Sequence, residues 1–330
     1  MTTKEQGRVS IKDVAERAGV SIGTVSNVVN RPDRVAASTR DRVQAAIDAL
    51  GYVRSESARH LRAGRSRMIA MLALDMTNPF FADVAHGAEE AATADGLGVM
   101  LCSSGQDAEV ESLYLSLFAE QRVRGVLIAP TAAGSVEVLA RQGIPHVVVD
   151  GNARGAACSV SVDDVVGGEL AARHLVEAGH RRIAYVTGPL DLPQCRDRRI
   201  GASEAAELVV LETPTMDVAG GRDAGSRLLG LPDRPTAVFC ANDLLALGVL
   251  QALFAAGVRV PDDLALVGYD DIEFAAAAAV PLTSVRRPAR RLGRTAADLL
   301  LRESDDSAHR HEHIVYQPEL VVRRSSLAQP

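Results

Sequence analysis

The sequence predicts two kinds of structure in one chain: a small all-α head at the N-terminus, and a larger α/β body of parallel sheets with helices on both faces. Three observations support this prediction. Helix caps and apolar residues at helical spacing follow one another closely over residues 10–51. Short apolar runs alternate with amphipathic stretches along the rest of the chain. The two parts also differ in the sign of their net charge.

The charge difference separates a basic head from an acidic body. Residues 1–67 carry 13 Lys and Arg against 7 Asp and Glu, a net charge of +6, whereas the rest of the chain carries −12. A basic segment on an acidic protein indicates that this segment meets a polyanion. A polyphosphate is the polyanion that this charge favours, because neutralising phosphates releases counterions. A solvated basic tail is the alternative.

Composition indicates a folded protein outside the membrane. The 330 residues are 47% hydrophobic and 24% charged, and no apolar run approaches the roughly 18 residues that a membrane span needs. No apolar core follows the first charged residues, so we expect no secretory signal. The cysteines lack metal-binding spacing, which favours reduced thiols in a cytoplasmic protein. They are Cys102, Cys158, Cys195 and Cys240.

The first part of the head has the pattern of two short helices joined by a tight turn. Ser10 is a suitable N-cap, and Gly19 can adopt the positive φ of the turn. Ser21 caps a second helix with Val25 and Val28 on its apolar face. The apolar face of the first helix consists of Ile11, Val14, Ala15 and Ala18. This pattern is typical of a helix-turn-helix, with an ordinary three-helix subdomain as the alternative.

A third helix completes the head. Ser38 and Asp41 have the spacing of a capping box, and Gly51 is a suitable end. Its apolar positions are Val43, Ala46, Ile47 and Leu50.

In a helix-turn-helix, the second helix enters the major groove with its N-terminal residues toward the bases. Asn27 can contact adenine through both atoms of its amide, and Ile22 can pack on a thymine methyl group. Hydroxyl groups there suit phosphates. The candidate DNA-binding residues of this helix are Ser21, Ile22, Gly23, Thr24, Asn27 and Asn30.

The body alternates strand-like and helix-like segments, which predicts parallel sheets. Helical stretches cover residues 81–95 and 164–178, for example. Strand-like runs begin at Met68, Gly98, Gly125, His146, Arg182, Ala237 and Leu264. Ligands of such sheets bind beyond the carboxyl ends of the strands, where this sequence places polar side chains. These are Asp75, Asp150, Asn242 and Asp270.

The chain resembles the lactose-repressor (LacI/GalR) family of bacterial transcription regulators. In the head, the resemblance rests on IKDVAERAGVSIGTVSNVVN from Ile11, STRDRVQAAIDALGY from Ser38 and SARHLRAGRS from Ser57. In the body, it rests on NPFF, GHRRIAYVTGP, PTAVFCANDLLALG, VPDDLALVGYDD, PLTSVRRP and PELVVRRSS. It implies a body with the two-lobed fold of periplasmic sugar-binding proteins.

The resemblance also implies domain boundaries. The DNA-binding head would cover 1–53, a hinge helix 54–66, and an effector-binding and dimerisation core 67–330. Lobe one would comprise about 67–158 and 287–317, and lobe two about 159–286 and 318–330. The hinge would place Leu61, between Arg59 and Arg62, as a wedge in the minor groove. Without the resemblance, packing of Leu61 on the body is the favoured interpretation.

Effector contacts follow from the resemblance residue by residue. The matching positions are Phe80, Asp150, Arg196, Asn242 and Asp270, with Met216 at a looser match. Acids, amides, an arginine and an apolar face suit a sugar or nucleoside. Each residue has a simpler alternative, such as a helix cap at Asn242 or a turn at Asp270. The segment around residues 203–220 is shorter than the family pattern, so a remodelled effector cleft is also open.

We therefore expect a cytoplasmic, nucleoid-associated repressor that binds a palindromic operator as a homodimer under the control of a small-molecule effector. The rivals are a regulator with a non-functional cleft and a transport-type sugar-binding protein. No enzyme motif is present, and we expect no cofactor. A tetramer built on a C-terminal coiled coil is not expected either. His309, His311 and His313 could bind a metal, but a polar surface loop is the favoured interpretation, so no metal is expected.

Overall fold

The structure is a computed structural model that describes residues 9–52, 66–131, 134–151, 153, 155–306 and 308–327. The chain divides into two compact units, Met1–Arg65 and Ser66–Pro330. We call them the head and the body.

The head contains three helices, as the sequence predicts: α1 (Ile11–Ala18), α2 (Ile22–Asn30) and α3 (Ala37–Leu50). The Asp13 carboxylate accepts hydrogen bonds from the backbone N–H (2.7 Å) and the hydroxyl (2.8 Å) of Ser10. This interaction holds the start of α1, and Gly19 ends the helix at φ +62°. One fully buried valine from each helix forms the centre of the head: Val14, Val25 and Val43.

The predicted cap of the third helix is wrong. α3 begins at Ala37 with Ala36 at its N-cap position, so Ser38 lies inside the first turn. A 3-10 turn over Pro32–Arg34, followed by an extended Val35, sets the start of the helix. Tertiary packing of Val43 and Ala46, both buried, holds the helix in place of a side-chain cap.

The body consists of two lobes, each built on one sheet of six strands. The strands are β1 (Met68–Ala73), β2 (Gly98–Ser103), β3 (Val126–Ile128), β4 (His146–Val149), β5 (Cys158–Val162), β6 (Arg182–Thr187), β7 (Glu207–Glu212), β8 (Ala237–Cys240), β9 (Ala265–Asp270), β10 (Thr283–Arg286), β11 (His313–Tyr316) and β12 (Glu319–Val321). The helices are α4 (Pro79–Ala94), α5 (Ala108–Glu120), α6 (Ser135–Arg141), α7 (Asp164–Glu177), α8 (Pro193–Ala205), α9 (Val218–Leu229), α10 (Asp243–Ala255), α11 (Glu273–Ala277) and α12 (Ala289–Asp305). In the described part of the chain, no helix is long and apolar enough to cross a bilayer.

The first lobe contains an all-parallel sheet in the order β11-β5-β4-β3-β1-β2. Successive residues of β1 point to opposite faces, as the pleat requires. Met71 packs with α4 and α12 on one face, whereas Leu72 packs with α5 and α6 on the other. Both faces are buried, which is why the strand reads as a continuous apolar run.

The second lobe repeats this design in the order β12-β10-β9-β8-β6-β7. All its neighbouring strands are parallel except the edge pair β10 and β12. Two close helix pairs, α7 with α8 and α9 with α10, pack within it. Parallel sheets with helices on both faces were predicted, whereas the antiparallel edge strand was not.

The predicted end of lobe one at residue 158 is wrong. Cys158 is the first residue of β5, which pairs with β4 in the first sheet, so the chain leaves this sheet only after Val162. The chain returns after β10 to form α12 and β11, then crosses again to β12. The lobes are therefore connected by three crossovers of the chain.

Glycines allow the helix pairs to approach closely. A Cβ atom built on Gly201 of α8 would lie 1.8 Å from the carbonyl oxygen of Val165 in α7, and one on Gly168 would lie 2.0 Å from that of Arg198. Only a residue without a side chain fits at such distances. The contact sets the position of α8, and with it the side chains that α8 presents to the cleft described below.

A Gly201→Ala variant tests this contact. Alanine is the better helix former, yet we expect a loss of about 1–3 kcal/mol in the free energy of unfolding, because α7 and α8 must separate. Chemical denaturation measures the loss. The matched control is Gly230→Ala, whose new Cβ would lie 3.5 Å from its nearest neighbour. The control should change the stability by less than about 0.5 kcal/mol. Equal effects of the two changes would contradict close packing at Gly201.

Candidate functional site

The N-terminal part of α2 presents an exposed surface of mixed chemistry. Ser21 caps the helix by accepting a hydrogen bond from the backbone N–H of Thr24 (3.1 Å). Ile22 is 44% exposed, which is unusual for a large apolar side chain, and Asn27 is exposed one turn further along. The same surface includes Gly23, while Thr24 is half-buried. An exposed apolar side chain and an exposed amide on one short helix suit contact with base edges in a groove.

Asn30 differs from the other residues of this set. Its amide nitrogen donates to the backbone oxygen of Ser26 at 2.7 Å, at the end of α2. The side chain therefore holds the helix end, and Asn27 is the better placed amide for contact with a base. Arg59, Leu61 and Arg62 lie outside the residues that the structure describes.

The polar residues that follow the strands converge on one cavity between the lobes. Asp75, Asp150, Asn242 and Asp270 all line it, as their positions at strand ends predicted. In this conformation the cavity has a volume of only about 30 Å³, which is room for water, so a ligand the size of a sugar requires the cleft to open. The other lining residues are Leu74, Asn78, Phe81, Gln106, Leu192, Gln194, Arg198, Met216 and Arg287.

Arg287, which the sequence analysis did not select, links the two lobes at the base of this cleft. Its Nη1 atom donates to Asp150 of the first lobe, and its Nε and Nη2 atoms donate to Asp270 of the second, at 2.9 and 2.6 Å. Asn78 of the first lobe adds a hydrogen bond of 3.1 Å to Asp270. These contacts cross the cleft, so the base of the cleft is closed by a buried ionic network.

The aspartates of this network have unusual backbone conformations. Asp150 and Asp270 adopt positive φ values of 57° and 103°. Such conformations are costly for residues with a side chain and tend to occur at functional sites. Burial raises the pKa of the Asp150 carboxyl, and the guanidinium of Arg287 opposes that rise. The ion pair is what keeps a carboxylate in this buried position.

Phe80 does not provide an apolar face to the cavity. Its side chain is only 1% exposed, and the guanidinium carbon of Arg287 lies 3.4 Å from the centre of its ring. It therefore supports Arg287 by a cation–π contact. Phe81, the next residue, lines the cavity instead. The expected ligand contact by Phe80 is wrong for this conformation, because α4 turns that ring toward the core.

Arg196 does not line this cavity, and its expected contact with a ligand stays a prediction. It is exposed, forms an ion pair with its neighbour Asp197, and lines an adjoining depression that also contains Asp150 and Gln194. Arg198 lines the cavity and is only 1% exposed. Helical spacing is a signal that could have found it, since Cys195, Arg198 and Ala202 share the buried face of α8.

Arg198 is held in place from three sides. Its Nε atom donates to Asp164 at 2.9 Å, its Nη1 atom donates to the backbone oxygen of Ala241, and its guanidinium carbon lies 3.8 Å from the centre of the Tyr269 ring. The Tyr269 hydroxyl donates to the same carboxylate oxygen of Asp164 at 2.7 Å. The buried Nη2 atom of Arg198 has no hydrogen-bond partner within the described part of the chain. Such an atom is expected to meet a ligand or water.

Asn242 has the helix-capping role that was its simpler alternative. Its side-chain oxygen accepts from the backbone N–H of Leu245, and its amide nitrogen donates to the backbone oxygen of Met216, both at 2.8 Å. Met216 lines the cavity, as expected. Next to this site, Ala206 alone separates α8 from β7.

An Arg287→Leu variant tests the ionic network. Two buried carboxylates would face each other without a counter-charge, so we expect a loss of about 3–5 kcal/mol in the free energy of unfolding. Acidification should recover part of the loss, because protonation neutralises the carboxylates. Denaturant titrations at several pH values measure both effects. Arg290→Leu removes an exposed pair with Asp83 and should cost less than about 1 kcal/mol. Similar losses in the two variants would refute the special role of Arg287.

Comparison with known families matches both units of the chain. Residues 10–55 match the family described as bacterial regulatory proteins, lacI family, and residues 172–326 match a periplasmic binding protein-like domain. The HTH-type transcriptional repressor PurR of Photobacterium profundum is 36% identical over 327 residues, which cover 96% of this chain and 98% of the relative.

Solved structures of transcriptional regulators are also similar to this chain. The lac repressor dimer bound to operator and the anti-inducer ONPF is 30% identical with a TM-score of 0.81, over 97% of this chain and 99% of that one. A complex of the transcriptional regulator CelR with cellobiose is 32% identical with a TM-score of 0.72, over 96% of this chain and 100% of that one. A regulator from Enterococcus faecalis with bound ribose is 30% identical with a TM-score of 0.73, over 78% of this chain and 98% of that one.

Proposed function

The chain belongs to the LacI family of bacterial regulatory proteins and is a DNA-binding transcriptional repressor under small-molecule control, not an enzyme; on this premise, we propose which residues read DNA and which bind the effector. The proposal rests on one observation: the same chain has an exposed polar and apolar surface on α2 and an available hydrogen-bond donor in the cleft. α2 exposes Ile22 and Asn27, and the cleft holds the Nη2 atom of Arg198, which has no hydrogen-bond partner among the described residues.

The DNA-reading surface is the N-terminal part of α2. Ile22 and Asn27 contact base edges, while Ser21 and Thr24 contact phosphates. A homodimer presents two such helices to the half-sites of a near-palindrome, and the lac repressor structure likewise contains a dimer on its operator. Such a protein acts at the nucleoid in the cytoplasm. In the functional division that we propose, residues 1–53 bind DNA and 54–66 form a hinge with Leu61 between Arg59 and Arg62. Residues 67–330 bind the effector and form the dimer.

The effector in this proposal is a sugar or a nucleoside-like molecule. The solved relatives contain cellobiose or ribose, both rich in hydroxyl groups. In this chain Arg198 donates to the ligand, Gln194 offers an amide, and Phe81 and Met216 provide apolar contacts. Asp150 and Asp270 line the cavity, but in this structure their carboxylates accept hydrogen bonds from Arg287. A ligand that competes for these carboxylates would change the link between the lobes.

Control of DNA binding requires that the ligand prefer one arrangement of the lobes. A molecule that binds both arrangements equally cannot alter the affinity for operator. Because the Arg287 network and Asn78 both cross the cleft and line the same cavity, a ligand in the cavity lies beside the contacts that hold the lobes together. Induction and corepression are both compatible with this mechanism.

The DNA-binding proposal predicts a specific loss in an Asn27→Ala variant. Selection from random double-stranded DNA with the full-length protein should first recover one near-palindromic motif. On that motif we expect Asn27→Ala to weaken binding about tenfold or more, with little change on unrelated DNA. Fluorescence anisotropy measures both affinities. Gln44→Ala, an exposed amide on α3 that bonds to Asp48, is the control and should bind normally. Full affinity in Asn27→Ala would remove this residue from the reading surface.

The effector proposal predicts that Arg198, not Arg196, determines ligand binding. In a panel of sugars and nucleosides that includes ribose and cellobiose, a ligand at about 100 times its Kd stabilises the protein by about 2.7 kcal/mol, seen as a higher melting temperature. Arg198→Lys keeps the charge but loses the planar donor pattern, so the shift should disappear. Arg196→Lys should retain it. A panel that shifts nothing would favour a non-functional cleft, and equal shifts in both variants would refute the role of Arg198.

A further inference from the structure

The histidine-rich segment before β11 packs against a buried cysteine at the start of β5. Cys158 is fully buried, and its sulfur lies 3.1 Å from Nε2 of His309 and 4.0 Å from Nδ1 of His311. Glu303, near the end of α12, adds a carboxylate. One ligand atom from each of Cys158, Glu303 and His309 lies within 4.8 Å of the others. Residues from three elements thus converge at one point.

We propose that Cys158, Glu303 and His309 bind a divalent cation of the zinc class, and that a small movement of its side chain brings in His311, whose Nδ1 atom lies 4.0 Å from the sulfur, as the fourth ligand. In a tetrahedral zinc site, sulfur and nitrogen ligands lie about 3.6 Å apart, as the usual zinc–ligand bond lengths require. The sulfur–nitrogen distances of 3.1 and 4.0 Å bracket this value. Thiolate and imidazole together select zinc or a similar transition metal over magnesium or calcium.

The carboxylate of Glu303 provides a second, independent observation. Its Oε2 atom is buried and has no hydrogen-bond partner among the residues that the structure describes. Its Oε1 atom receives only a long contact of 3.5 Å from the backbone N–H of His146. A buried carboxylate oxygen without a donor is costly, and a cation would satisfy it.

The backbone and the surface around the cluster suit a metal site. Burial raises the pKa of the Cys158 thiol, and the backbone N–H of Glu312, which donates to the sulfur at 3.3 Å, opposes that rise, so a bound cation must displace the proton. A surface depression that reaches His309 is lined by four aspartates and one arginine, so its charge favours the approach of a cation; these residues are Asp95, Asp298, Asp305, Asp306 and Arg302. His313, the third histidine of the segment, bonds to the Ser159 hydroxyl at 2.9 Å and is not a ligand.

This site is separate from the effector cleft. Cys158 begins β5, whereas the cleft lies beyond the carboxyl ends of the same parallel strands. A cation here would join α12, β5 and the segment leading into β11, the edge strand of the first sheet. We therefore expect metal binding to stabilise the first lobe. A hydrogen bond between thiol and imidazole that merely fixes β11 is the competing interpretation.

Cobalt binding to the untagged, full-length, chelator-treated protein tests the proposal. One equivalent of Co²⁺ should produce the visible bands of tetrahedral coordination and a sulfur-to-cobalt charge-transfer band in the near ultraviolet, and Zn²⁺ should displace it. Cys158→Ser should remove the charge-transfer band. His309→Ala, a change in a half-buried loop residue, should weaken Co²⁺ binding by more than about tenfold.

Matched controls separate the site from the other thiols and histidines. Cys102→Ser and His313→Ala should retain both the spectrum and the affinity. The proposal fails if no charge-transfer band forms, or if His309→Ala binds as tightly as the parent protein. It also fails if the control variants lose as much affinity as the site variants. Because His309→Ala does not alter the buried core, the test remains decisive even if Cys158→Ser does not fold.

Discussion

The buried guanidinium of Arg287 is the interaction on which the arrangement of the cleft depends. It binds Asp150 of the first lobe and Asp270 of the second, lies on the ring of Phe80, and is almost completely removed from water. A buried charge is tolerated only when it is paired, so these residues constrain one another. The two aspartates adopt positive φ values, and their carboxylates turn toward this single cation.

A second buried arginine extends this network toward the ligand. Arg198 bonds to Asp164 and lies on Tyr269, which also donates to Asp164. Burial raises the pKa of the Tyr269 phenol, so the hydroxyl remains a donor. The two arginines and their carboxylates leave few free positions in the cleft, and the Nη2 atom of Arg198 is one of them. A ligand is therefore selected by its ability to accept hydrogen bonds next to a network that already links the lobes.

Parallel strands also explain why the first lobe has polar clusters at both ends. The carboxyl ends of its strands meet at the cleft, where Asp75 and Asp150 lie. At the opposite end, β5 begins with Cys158, and α12 runs back from the cleft to place Glu303 beside it. A parallel sheet requires such return helices, so one helix, α12, follows Arg287 of the first cluster and carries Glu303 of the second.

The sequence by itself determined those features of the fold, such as helix ends and buried strands, that depend on residues close together in the chain. Ser10 and Gly19 bound the first helix, and the continuous apolar runs predicted the buried strands, because a turn glycine and a fully buried strand are local patterns. The convergence of Asp75, Asp150, Asn242 and Asp270 also followed, since parallel strands end at one edge. Short or half-exposed strands such as β7 and β11 are not among the predicted strands, because their apolar residues do not form a continuous run or a clear alternation. Only the tertiary structure decided that Arg287 meets Asp150, 137 positions away, that Phe80 supports an arginine, and that His309 meets Cys158. These contacts arise where the chain crosses between lobes or returns along a helix, and local spacing does not record which distant residues such a path brings together.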